Sequence, residues 1–146
     1  CFGETTGEIA IDVTGGTKFQ KEVAFKTVCQ MITELMPRMK TLEIIVRIRK
    51  FNDDAIGYCM MEDSKRQFEI EISKDLSLKD FVTTMCHEMV HVKQYARNEM
   101  NGLATDRRWK KCNVSDSVGY WDLPWEKEAH RLEGKLAQKV WDSNIL

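Results

Sequence analysis

A chain of 146 residues, 42% hydrophobic and 31% charged, fits one domain with a modest core. Its 22 basic and 23 acidic side chains leave a net charge of -1, so no global field draws it onto nucleic acid or an anionic membrane, and any partner is chosen locally. No apolar run approaches the roughly 18 to 20 residues of a spanning helix, and the five scattered cysteines contain no C-x-x-C pair. Those features argue against a membrane protein, a disulfide framework or a cysteine zinc site, and for a soluble chain in a reducing, cytoplasmic setting.

Residues 1–17 are punctuated by Gly3, Gly7, Gly15 and Gly16 around the alternating Ile9, Ile11 and Val13, and read as an extended arm or edge strand. From Lys18 the spacing changes to Phe19, Val23, Val28, Ile32 and Leu35, about one apolar residue per helical turn, until Pro37 stops it. This predicts an amphipathic helix packed on a core. "TLEIIVRIRK" then alternates Leu42, Ile44, Val46 and Ile48 with Glu43, Arg47 and Arg49. "AIGYCMME" and "RQFEIEIS" follow, joined by the turn-like "EDSKR", with Phe68, Ile70 and Ile72 inward and Glu69 and Glu71 outward. These are three strands of one sheet, whose charged face pairs acid with base across strands and meets water.

A second long helix is predicted from an N-cap at Ser77, with Asp80 in its first turn, to about Asn98. Residues 99–122 read as polar and irregular. "DLPWEKEAHRLEGKLAQKVW" resumes a helical pattern, with Asp122 as its cap, Pro124 in its first turn, and Trp121, Trp125 and Trp141 as core anchors. The expectation is a single α+β domain over residues 1–146, its core about 18–141, with a small sheet of three to four strands.

The chemistry concentrates in "CHEMVH". Positions four apart on a helix lie one above the other, so His87 and His91 can aim imidazole nitrogens at one ion. Glu88 sits on the adjoining flank, where it can reach a metal-activated water as a general base. Chance would produce an H-E-x-x-H string in a chain this long only on the order of a few times in a thousand. Core duty also falls elsewhere on the helix, to Val82, Met85, Met89, Val92 and Ala96, which frees the histidines for a Zn2+ site. Cys86 reads as a small buried apolar residue rather than a nucleophile.

A catalytic zinc takes three protein ligands and keeps one position open. The extended metzincin pattern would place glycine and histidine where this chain has Gln94 and Arg97, so that family is excluded. The third ligand must be a carboxylate or His130. The best source is "PWEKEAH": Glu126 begins a helix, whose positive dipole end favours a carboxylate, and Ala129 leaves room for that helix to pack against the first.

H-E-x-x-H followed by a helix bearing E-x-x-A resembles the gluzincin metallopeptidases, in particular small single-domain members of the minigluzincin type. The resemblance spans roughly residues 18–141. It implies a zincin-like fold, zinc-dependent hydrolysis of peptide bonds, a peptide or protein substrate laid along an edge strand near "AIGYCM" or "RQFEIEI", and His87, His91 and Glu126 as ligands with Glu88 as base. Many members carry Asp or Asn one turn after the glutamate ligand; this chain has His130, read as a support for a zinc histidine, a contact to the transition state, or a ligand. Glu128 and Glu133 are expected to point elsewhere on the helix, solvated or salt-bridged.

Tyr120, Tyr95, His130 and Arg131 are candidate oxyanion donors, Tyr120 first because it lies in the loop leading to the ligand helix. The basic segment "DRRWKKC", residues 106–112, reads first as a solvated loop with a packed tryptophan. Its sharper reading, contact with nucleic acid, keeps open a resemblance to SprT-like proteases acting on DNA-bound proteins. Their third ligand is a histidine soon after the motif, and none occurs here between His91 and His130. A zinc-stabilised, non-catalytic binding module is the competing reading from a different class.

Overall fold

The computed structural model describes residues 2–6, 8–101, 107–115 and 117–146, with side chains described from residue 9 onward and not at Asn101. Cys1 and Gly7 of the amino-terminal segment and Asp106 of the basic segment lie outside the described residues. The chain runs β1 (Phe2–Thr6), β2 (Glu8–Gly15), α1 (Lys18–Leu35), β3 (Thr41–Arg49), β4 (Gly57–Met61), β5 (Gln67–Ser73), α2 (Leu78–Ala96), β6 (Met100–Asn101), β7 (Arg108–Trp109), β8 (Cys112–Asn113) and α3 (Pro124–Asp142), with a single 3-10 turn at Tyr120–Asp122 before α3. No helix among the described residues is long and apolar enough to cross a membrane.

The main sheet has the order β1-β2-β3-β5-β4. The three expected strands are β3, β4 and β5, and the amino-terminal segment adds two more. β1 lies at one edge, whereas β2 is inside the sheet, antiparallel to β1 and parallel to β3. The parallel pairing requires a crossover, and α1 supplies it. Thr17 caps α1 in a reciprocal capping box with Gln20. The turn into it needs glycine: Gly15 has φ +79°, and a Cβ there would stand 2.0 Å from the Ile48 carbonyl oxygen.

Registry stacks the apolar positions into one continuous face. Ile11 and Val13 lie beside Ile44 and Val46, which lie beside Phe68 and Ile70. Val23, Val28 and Ile32 of α1 and Val82, Met85, Met89, Val92 and Ala96 of α2 bury against that face. The opposite face carries the expected cross-strand ion pairs, Arg47 with Glu69 and Arg49 with Glu71. α3 lies on α2, and Ala129 is fully buried at that contact, where a small side chain lets the helices approach.

Four local expectations change. Phe19 is exposed, because the core face of α1 begins one turn later, at Val23. Asp122 does not cap α3: it closes the 3-10 turn, and Leu123 takes the N-cap position without a side-chain hydrogen bond, while Pro124 opens the helix as expected. Residues 99–122 are not wholly irregular, since β6, β7 and β8 form a small antiparallel sheet. Trp109 packs there against Met100, Leu123 and Trp125, as the reading of a packed tryptophan requires. Trp121, by contrast, is 72% exposed and anchors no core.

Candidate metal centre

Ser77 starts α2, its hydroxyl accepting from the Asp80 amide at 3.2 Å. The helix then carries His87, Glu88 and His91 to the place where it faces α3, and all three are buried. The imidazole rings of His87 and His91 stand edge to face with centroids 4.9 Å apart. From α3, one oxygen of Glu126, Oε1, lies 3.2 Å from Nε2 of His87 and 3.2 Å from Nε2 of His91. Donors on tetrahedral zinc bonds of about 2.0–2.1 Å are separated by roughly 3.3 Å, so each of these two contacts taken singly has the spacing of two donors on one ion.

His130 adds a third imidazole, its ring 4.7 Å from that of His87. Among the described residues, His87, Glu126 and His130 form a group that can hold a metal ion, with donor atoms all within 4.8 Å of one another. His91 is not a member of that group, although its Nε2 lies close to the same Glu126 oxygen. His130 is otherwise engaged: Nδ1 is 2.8 Å from Glu133 Oε1, and Nε2 is 3.3 Å from the Tyr120 hydroxyl. That hydroxyl lies 3.1 Å from Glu126 Oε1, and its single proton can be donated only once.

Glu133 departs from the expectation that it points elsewhere. It joins the wall of the cavity, bonding His130 and placing Oε2 3.7 Å from His87 Nδ1. The signal was present in the spacing, because Glu126, His130 and Glu133 follow an i, i+4, i+7 pattern and so share a helix face. Glu128 is salt-bridged as expected, held by Lys93 Nζ at 2.6 Å. Of the other proposed donors, Tyr95 packs on Phe68 and Arg131 is exposed; neither lines the cavity.

Three carboxylates, Glu88, Glu126 and Glu133, thus converge on three imidazoles, a donor set that suits a divalent cation. Burial alone would raise the Glu126 carboxyl, but hydrogen bonds and charge from His87 and His91 hold it well below the usual carboxylate range. Burial raises the Glu88 carboxyl, a shift only partly offset by His91 and His87. At His91 burial opposes the proton, yet the hydrogen bond and charge of Glu126 prevail and raise the imidazole. Burial and then the charge and hydrogen bond of Glu126 push Tyr120 up to about 12, so it stays a hydroxyl donor. Burial also pushes Cys86 up to about 12, in keeping with a small core residue.

The cavity holds about 460 Å³ between the helices and β4. β4 rather than β5 lies at the edge of the sheet. Gly57 permits the close approach of that strand: a Cβ there would meet Thr84 Cγ2 at 2.8 Å and Glu88 Oε2 at 3.0 Å. Tyr120 and Trp121, both exposed, stand beside His130 on the opposite side. No protein-family model matches the chain, and comparison with curated proteins and with solved structures found no match.

Proposed function

We propose that the chain is a zinc-dependent metallopeptidase of gluzincin type with a zincin-like fold. The observation that carries the reading is the single Glu126 oxygen 3.2 Å from Nε2 of both histidines, with Glu88 buried beside them. On that reading His87, His91 and Glu126 hold the metal. His91 is preferred to His130 because its Nε2 approaches the shared carboxylate oxygen closely, while both nitrogens of His130 have other neighbours.

His87, His91 and Glu126 would hold zinc as a Lewis acid, which would polarise a carbonyl and lower the pKa of a water toward about 7. The protein's own groups do the rest. Glu88, made more basic by burial, takes the proton of the attacking water and returns it to the leaving amine. Tyr120, kept protonated and resting on Glu126 Oε1, turns its hydroxyl to the developing oxyanion. β4 offers backbone donors and acceptors at the sheet edge, where an extended peptide can pair as a further strand over Gly57. The substrate is accordingly a flexible peptide or an unstructured protein segment.

Metal analysis of the purified protein, with digestion of an unfolded protein by wild type and Glu88→Gln, tests this. One zinc per chain and cleavage by wild type alone are expected. Zinc retained with no cleavage by either protein would defeat the peptidase reading and leave a zinc-stabilised binding module.

A further inference from the structure

Gln94 follows His91 by about one turn of α2 and is completely buried. Its amide nitrogen donates to the Trp125 carbonyl at 2.9 Å and to Glu128 Oε1 at 3.1 Å. Both acceptors come from α3, and together they orient the amide, because the nitrogen cannot accept and those oxygens cannot donate. The amide oxygen is left facing His91, where Oε1 lies 2.8 Å from Nδ1. An amide oxygen only accepts, so His91 must carry its proton on Nδ1. Nε2 is then the nitrogen left to face Glu126, 3.2 Å from its Oε1, where it donates when protonated and offers a lone pair to a cation when not.

The support extends further. Glu128 is held by Lys93 at 2.6 Å, and Lys93 is also 3.0 Å from Glu99. At His87, in contrast, the Glu133 oxygen stands 3.7 Å from Nδ1, beyond hydrogen-bond reach. The two histidines of one motif are therefore oriented unequally.

We propose that Gln94 is a positioning residue, holding His91 in the Nδ1–H tautomer so that Nε2 faces Glu126, with its own orientation set by Trp125 and Glu128 across the helix interface. Its consequence for metal affinity, and the lone pair on Nε2, rest on the metal-centre reading above, because without a cation the Glu126 carboxylate also attracts a proton to Nε2; the Nδ1–H donation to Gln94 does not. Outer partners of this kind typically change metal affinity about 10–100-fold when removed.

The test measures His91 imidazole nitrogen shifts in the metal-free protein under alkaline conditions, where the ring is neutral, and zinc affinity by competition with a chromophoric chelator. Wild type, Gln94→Met and the exchange variant Gln94→Glu/Glu128→Gln are compared, with folding checked by circular dichroism. In wild type the Nδ1–H tautomer should dominate. In Gln94→Met that bias should fall and zinc affinity should drop about 10–100-fold. The exchange variant keeps an acceptor against His91 and moves the amide donor to position 128, facing the new carboxylate, while giving up the hydrogen bond to the Trp125 carbonyl. The bias should therefore persist, zinc affinity should recover to within about threefold of wild type, and the Nδ1 proton should move downfield against the stronger acceptor.

A folded Gln94→Met that keeps the full tautomer bias overturns the proposal. If that variant does not fold, an exchange variant whose Nδ1 proton is unmoved overturns it instead. Wild type with the Nδ1–H tautomer but no zinc binding supports the positioning role while rejecting the metal-centre reading. Zinc bound equally by wild type and Gln94→Met rejects the positioning role and leaves the metal centre standing.

Discussion

On the α2 wall of the cavity, His87, Glu88 and His91 descend from one short segment, their relative placement dictated by helical geometry and all three buried. On the α3 wall, Glu126, His130 and Glu133 occupy three successive turns of a more open face, reached by Tyr120 from the preceding turn. The first wall is specified locally, whereas the second acquires its role only where the helices pack. Two side chains in similar chemical surroundings can therefore differ greatly in how firmly they are held, as His91 on Gln94 and His87 beside Glu133 do.

The sharpest way to separate the walls is Glu88→Gln, which should reduce kcat on the order of 10²–10⁴-fold while leaving zinc stoichiometry at one per chain. Plasma emission metal analysis and a fluorogenic peptide assay would check it. Next in size is the choice between His91 and His130 as third ligand: on the proposed reading His91→Ala should weaken zinc by more than about a hundredfold, and His130→Ala by no more than about tenfold, the effect expected of an outer partner. Chelator competition on both variants reads the difference, and the reverse order would move the site to His87, Glu126 and His130.

The interface between the walls can be strained directly. Ala129 is fully buried, so Ala129→Leu should overpack the α2–α3 contact and lower stability by about 1–3 kcal/mol in denaturant unfolding, with weaker zinc binding as α3 is displaced. Smallest is the effect of Gly57→Ala. The added methyl would press on Thr84 and Glu88, so on the proposed reading peptide cleavage should fall about tenfold from misplacement of Glu88, while zinc affinity stays within about twofold. Unchanged turnover in that variant would show that Glu88 tolerates displacement.

Much of this was readable along the chain because it obeys short periods. Alternation in "TLEIIVRIRK" marks the inward face of β3, Ser77 caps α2 as its position predicts, and the four-residue interval of the histidines sets their common face. Glu126 was also legible, as a carboxylate at a helix start near a small residue. Glu133 was missed although its spacing from Glu126 and His130 announces a shared face, because an acidic residue on a charged helix reads equally well as solvated. Gln94 carried no signal except as a mismatch to another motif, since its role depends on an amide orientation imposed by Trp125 and Glu128.

The sequence by itself determined the single α+β domain, the helical frame of His87, Glu88 and His91, and the residue types able to bind a cation. Tertiary structure decided which strand is the sheet edge, that Glu126 Oε1 meets both histidines, that Glu133 faces inward and that Trp121 and Phe19 do not. Backbone periodicity is a local property, repeated within a few residues. The meeting of α2 with α3 is fixed by side-chain volume, desolvation and hydrogen-bond pairing between segments some 35 positions apart (His91 to Glu126), and those conditions exist only once the helices have packed.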